Sequence, residues 1–283
     1  MVVLVLLAML AFAANSVFAR LALGPGEIDA GGYTAVRLLA GALTLALLLL
    51  ARRYRLQPLT IARSRARWTT AAMLFGYAIT FSYAYELLGA GMGALILFAT
   101  VQSSMLGWAL IKGDRPGWLA LAGMAVALGA FAYLVSPGLV APHPLGTALM
   151  VAAGLCWAVY SLLGRGSREP LVDTAYNFML TVPVAAVLAI VSLAQNTPSL
   201  SGIGWAVASG ALASGIGYAI WYSALPRLSR SSAAIVQLTV PVIAAAGGIV
   251  FIGETLSWRL AISSVLILGG VAVAITARQR AAA

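Results

Sequence analysis

Apolar residues run along this chain in blocks of about the length that crosses a bilayer, and polar residues are confined mostly to the breaks. The blocks fall at approximately 2–22, 32–51, 67–88, 91–111, 117–135, 145–164, 173–194, 203–225, 231–252 and 257–277. A hydrocarbon core about 30 Å thick needs about 20 helical residues to cross. Within it, only helices and closed barrels satisfy their own backbone hydrogen bonds. The pattern predicts ten transmembrane helices, with the Arg-rich stretch 52–67 as the longest polar connector.

The blocks fall into two sets that read alike. Gly113-Asp114, with Trp118 four residues on, reappears 140 residues later as Gly253-Glu254 with Trp258. At the same offset Thr34-Ala35 meets Thr174-Ala175, Phe81 meets Trp221, Ala84 meets Ala224, Leu88 meets Leu228, and Leu128-Gly129 meets Leu268-Gly269. An offset of 145 pairs Ser16 with Ser161 and Arg20 with Arg165. Five helices is an odd number, so the second set enters the membrane in the opposite sense. The expected organisation is a first five-helix repeat at 1–135, a connector at 136–144, a second, inverted repeat at 145–277 and a tail at 278–283. Inverted halves that rock against each other expose a midplane site to either side in turn.

Composition agrees: 62% of residues are hydrophobic and 8% charged, against about 45–50% and 25% in soluble domains. The net charge of +10 raises the question of nucleic acid, but its placement answers otherwise. Fourteen of the seventeen basic residues lie at alternate connections, around 52–67, 112–115, 165–168, 227–230 and 278–280. Basic residues accumulate in short cytoplasmic loops, so both termini are expected in the cytoplasm, with the lipid bilayer rather than nucleic acid as surroundings. Ala11-Phe12-Ala13 resembles a leader cleavage site. With no basic residue before Arg20 and an apparent partner at 145–165, the segment is read as the first helix. Cys156, the single cysteine, leaves no intrachain disulfide and no Cys-rich metal site; no cofactor is expected.

The seven acids fall at predicted loops or helix ends, and His143 sits in a connector, so no midplane carboxylate or imidazole is expected to carry a proton. Arg37, some six residues into the second helix, has two readings: snorkelling to the surface, or a role at an external gate or with Glu86. Amides and hydroxyls lie at depth, among them Asn15, Gln102 and Gln237. Each serves either as glue between helices or as a substrate partner. Trp157, Tyr160 and Ser161 share one helical face, as do Tyr218, Trp221 and Tyr222; these are aromatic walls for a substrate or aromatic core. Trp68, Trp118 and Trp258 belong to an interfacial belt. Pro183 and Pro241 are expected to kink their helices, the second as hinge or as fixed bend.

These features together resemble the EamA-type exporters of the drug/metabolite transporter superfamily: ten helices in two inverted halves, Arg37, the Gly-Asp and Gly-Glu signatures, and Cys156-Trp157-Ala158-Val159-Tyr160. Asn15 matches that family's helix-one Asn and Pro241 its helix-nine Pro. Departures are Phe12-Ala13-Ala14 for Trp-Gly-Ser, Asp114 for Glu, and Val101 for a helix-four Pro. The resemblance implies an all-α integral membrane protein with a central cavity lined by helices one, three, four, six, eight and nine. It also implies export of amino acids or other small metabolites across a bacterial inner membrane.

On this reading Asn15, Gln102 and Gln237 hydrogen-bond the substrate, Tyr77, Phe98, Trp157, Tyr160, Tyr218 and Trp221 enclose it, and Arg37 and Pro241 serve gating. A cavity without fixed charge suits small neutral metabolites, zwitterionic amino acids with bulky or aromatic side chains above all. Transport would be facilitated or by exchange, with a monomer as the working assembly. Efflux of lipophilic organic cations over the same rings is the alternative. A membrane scaffold is the non-transport alternative. Enzymatic chemistry lacks a nucleophile with a base or a ligand cluster.

Overall fold

The computed structural model describes residues 2–51, 65–113, 117–136, 141–164, 167–224 and 236–280. Among them the chain is helical, without strand. The helices are α1 (Val2–Leu23), α2 (Ala30–Ala51), α3 (Arg65–Leu87), α4 (Ala90–Ile111), α5 (Trp118–Val135), α6 (Pro144–Leu163), α7 (Pro170–Gln195), α8 (Leu200–Ala224), α9 (Thr239–Ile252) and α10 (Trp258–Arg280). By length and apolarity α1, α2, α6, α7 and α8 can each cross a membrane, and shorter apolar stretches lie in α4, α5, α9 and α10. Most of the basic connectors, Asp114 and the expected start of the ninth span at 231–235 lie outside the described residues.

Local chemistry sets the helix ends. Pro144 and Pro170 occupy first-turn positions, where a missing N–H costs nothing. Asp29 Oδ2 accepts the Gly32 N–H at 3.1 Å at the start of α2, and Ser199 Oγ accepts the Gly202 N–H at 2.9 Å at the start of α8. Gly113 and Gly253, following α4 and α9, both have left-handed backbone, with φ of 92° and 73°. Glycine adopts that conformation without a Cβ clash.

The main packings pair helices from early and late in the chain. α2 lies on α7 and α5 on α10; α3 and α4 pack on α6, while α8 and α9 pack on α1. One hydrogen bond recurs. Thr34 Oγ1 donates to Ser82 Oγ at 2.7 Å, and 140 residues on, Thr174 Oγ1 donates to Tyr222 Oη at 3.2 Å. α5 and α10 cross at Gly123 and Gly270: a Cβ on Gly123 would sit 2.6 Å from the Gly270 carbonyl oxygen. Leu43, Leu47, Ile190, Leu193 and Val265 are exposed on the outside, as are Trp68, Trp118 and Trp258. In water such a surface would aggregate; in a bilayer it is solvated.

The two prolines expected to kink their helices sit in different surroundings. α7 runs through Pro183 without interruption. Val236 and Gln237 are helical, a turn follows at Leu238, and α9 begins at Thr239 with Pro241 in its first turn, so the helical ladder is interrupted beside this proline. Its ring cannot donate to the Gln237 carbonyl and crowds it, so the helix breaks one turn before the proline.

One departure had no counterpart in the sequence reading. Within α8, Ser209–Ile216 winds as a π-helix, and Gly248–Ile252 ends α9 the same way. Small residues in Ser209-Gly210-Ala211 and Ser214-Gly215 permit the wider turn, which rotates the following residues about the helix axis.

Candidate functional site

At the centre, α1, α3, α4, α6 and α8, with the turn entering α9, enclose a cavity of about 40 Å³. That is room for about one water. Its lining includes Asn15, Tyr77, Phe98, Trp157, Tyr218 and Gln237, six of the nine expected substrate residues. Phe12, Ser16, Phe81, Leu97, Val101, Ala213 and Ser214 complete it. Phe12 and Phe81 could have been found by extending the helical spacing, one turn before Asn15 and one after Tyr77. Ser214 could not, because the π-helix sets its direction.

The three other expected residues stand off the lining. Tyr160 stacks behind Trp157, ring centroids 5.2 Å apart, and Trp221 meets Phe12 edge-on at 5.9 Å. Gln102 follows the lining residue Val101 and is half-buried. Trp157 is the hub of the wall, with ring contacts also to Tyr77 at 4.8 Å and Tyr218 at 5.8 Å. Offset and tilted arrangements of this kind suit the quadrupoles of aromatic rings.

Polar groups meet on one side of this wall. Asn15 Nδ2 donates to Tyr77 Oη at 3.4 Å, and Ser209 Oγ, in the π-helical turn, donates to Asn15 Oδ1 at 2.6 Å. Arg37 Nη2 donates to the same Tyr77 oxygen at 3.1 Å. The Arg37 guanidinium carbon lies 5.2 Å from the Tyr77 ring centroid and 4.8 Å from that of Phe81. This corrects three expectations. Arg37 is 2% exposed and does not snorkel, and the cavity wall is backed by a fixed positive charge. Glu86 is not its partner, since it accepts the Ala30 N–H at 3.0 Å instead.

The end of the bundle where α1 finishes is tied by charge. Arg20 Nη1 donates to the Tyr85 carbonyl at 3.2 Å, and its Nε lies 3.6 Å from Glu254 Oε1. Glu27 accepts from Ser199 and Ser201, and Asp29 from Ser192. The Ser199 and Ser201 hydroxyls hold the Glu27 carboxyl below its ordinary value. At the opposite end Arg67 Nη2 meets Asp173 Oδ1 at 3.0 Å. No grouping of His, Cys, Asp and Glu among the described residues could hold a metal ion.

Comparison with known proteins gives concordant results. The model of the EamA-like transporter family matches residues 144–276. An uncharacterized protein of Pseudomonas aeruginosa is 48% identical over 99% of this chain and 96% of its own length. A probable amino-acid metabolite efflux pump of Salmonella typhimurium is 27% identical over 70% of this chain and 74% of its own. The threonine/homoserine exporter RhtA of Escherichia coli is 30% identical over 40% of this chain and 39% of its own. A solved crystal structure superposes with a TM-score of 0.65 at 24% identity, covering 95% of this chain and 97% of that one.

Proposed function

The chain belongs to the EamA-like transporter family, within the drug/metabolite transporter superfamily, and we propose that it exports small zwitterionic metabolites, amino acids with bulky or aromatic side chains foremost. It is a multi-pass membrane protein and a transporter rather than an enzyme. The observation that carries the substrate reading is the small central cavity, lined by Trp157 together with the hydrogen-bonded pair Asn15 and Tyr77. The efflux pump and the exporter named above handle amino-acid substrates, which favours the same class.

The mechanism proposed is alternating access between two inverted five-helix halves, 1–135 and 145–277, with both termini in the cytoplasm. Support comes from the packing of early helices on late ones, from the Thr34 and Thr174 hydrogen bonds 140 residues apart, and from the left-handed Gly113 and Gly253. At about 40 Å³ the cavity admits no amino acid until side chains or helices move apart. Transport is by facilitated diffusion or exchange, in a monomer. Organic-cation efflux is disfavoured by Arg37, whose charge opposes a cation beside Tyr77.

Counterflow of labelled phenylalanine, methionine, threonine and glutamate in proteoliposomes tests this. Uptake of the neutral set without a pH gradient is expected. Uptake of none of them, or strictly proton-driven accumulation, overturns the reading.

A further inference from the structure

Arg37 carries more donors than its surroundings accept. A guanidinium has five N–H groups, no acceptor, and stays charged at any physiological pH. Here Nη2 donates to Tyr77 Oη, while Nε and Nη1, both buried, have no hydrogen-bond acceptor among the described residues. No carboxylate there pairs with it either. The arginine lies roughly 10 Å along α2 from the helix start, at 1.5 Å per residue, and a cation at such depth without a counter-charge is costly.

The groups around it are already engaged or themselves unpartnered. Tyr77 Oη receives both Arg37 Nη2 and Asn15 Nδ2, which leaves its own O–H to donate to a further acceptor. The amide oxygen of Asn15, Oδ1, is taken by Ser209. The fully buried Tyr33 adds a further hydroxyl one turn back on α2, an i, i+4 neighbour of Arg37. Arg37 Nε and Nη1 and the Tyr33 hydroxyl are thus buried without hydrogen-bond partners among the described residues, and Tyr77 is a lining residue of the cavity. Aromatic faces occupy the Arg37 guanidinium plane, but they neutralise no charge.

We propose that Arg37, with Tyr77, forms an anion subsite that takes the carboxylate of the transported metabolite. The carboxylate enters from the cavity, accepts from the Tyr77 hydroxyl and reaches the guanidinium as the Tyr77 ring swings aside. Two oxygens suit the planar fork of an arginine. The substrate's ammonium and side chain remain on the Trp157 side. This rests on the export reading above for its substrate, but not for the anion site itself.

Thermal stability of the purified protein in detergent separates the two. Phenylacetate and phenethylamine share a ring and differ in charge. A ligand that binds only the folded state raises Tm, so phenylacetate is expected to raise it and phenethylamine is not. R37Q should lose the shift and R37K keep part of it. Equal shifts by both ligands, no shift by phenylacetate, or a shift retained in folded R37Q overturns the subsite. In proteoliposomes, wild-type protein should discriminate against phenylalaninamide relative to phenylalanine by about tenfold, the effect of one charge-assisted contact. R37K keeps the charge if R37Q does not fold. Absence of any amino-acid counterflow, with the phenylacetate shift intact, would overturn the export reading while leaving the anion subsite standing.

Discussion

Glu254 closes the start of a helix in the other half of the chain: its Oε1 and Oε2 lie 2.8 and 2.9 Å from the Ala90 backbone nitrogen at the first turn of α4. A carboxylate at a helix N-terminus satisfies a free N–H and sits at the positive end of the helix dipole. Arg20 of α1 pairs with the same carboxylate, so one side chain joins α1, α4 and the end of α9. Glu254→Ala should cost about 1–2 kcal/mol, the range of a lost cap. Glu254→Gln should cost less, because an amide oxygen still accepts. Thermal unfolding in detergent measures both. Equal losses would mean that charge, not the hydrogen bond, dominates.

The Trp157 wall makes a graded prediction. Trp157 touches the rings of Tyr77, Tyr160 and Tyr218 and lines the cavity. Trp157→Phe preserves a ring face and should keep counterflow with modestly weaker half-saturation. Trp157→Ala removes the face and should weaken half-saturation by about tenfold or more. The test is counterflow normalised to folded protein; equal behaviour of the two variants would assign Trp157 to packing alone.

Which parts of this were legible beforehand follows from what a periodic pattern encodes. Blocks of membrane-crossing length fixed where helices lie, because hydrocarbon leaves the backbone no alternative. Asn15, Tyr77 and Trp157 stood out because a polar or amphipathic group at depth needs a reason. Tyr160 and Trp221 were placed one layer too far inward: i, i+3 and i+4 residues span an arc, and a small cavity sees only one ridge of it. Which of the two readings of Arg37 holds was not legible, because sequence spacing does not say which side of a helix faces its neighbours, and its burial against Phe81 is a tertiary fact. The π-helical turn at Ser209–Ile216 depends on packing against α1 and α2, beyond what local composition encodes.

α5 and α10 offer a control away from the cavity. A Cβ on Gly270 would lie 2.5 Å from the Gly123 carbonyl oxygen, and backbone cannot yield as a side chain can. Gly270→Leu should destabilise by about 1–3 kcal/mol through overpacking. Neither helix lines the cavity, so counterflow per folded molecule should stay unchanged. A change in half-saturation in Gly270→Leu would show that this outer pair acts on the site.

Glu27 supplies an acid dependence whose sign is fixed. Its carboxyl is held below the ordinary value of 4.5 by Ser199 and Ser201. A depressed carboxyl stabilises the folded state above the unfolded value and loses that contribution as pH falls through the folded one. Glu27→Gln should therefore be less stable than wild type at neutral pH, with the gap narrowing as pH drops below about 4.5. Parallel Tm curves across that range would contradict it.

The last prediction concerns Asn15 and Ser209, which meet where α8 passes into its π-helical turn. Asn15 Oδ1 accepts from Ser209 at 2.6 Å, and both residues are buried. Removing one partner leaves the other unsatisfied, which costs about 1–3 kcal/mol, whereas removing both leaves no orphan on this contact. Ser209→Ala strands the amide oxygen; Asn15→Leu strands the serine hydroxyl and also frees Tyr77 from one donor. The double variant Asn15→Leu/Ser209→Ala should then be less destabilised than the sum of the singles by about 1 kcal/mol or more. Counterflow should divide differently: Asn15→Leu, which strips the polar corner of the cavity, should abolish it, and Ser209→Ala should only weaken it. Additive stabilities would mean that the π-helical turn is held by packing rather than by this hydrogen bond.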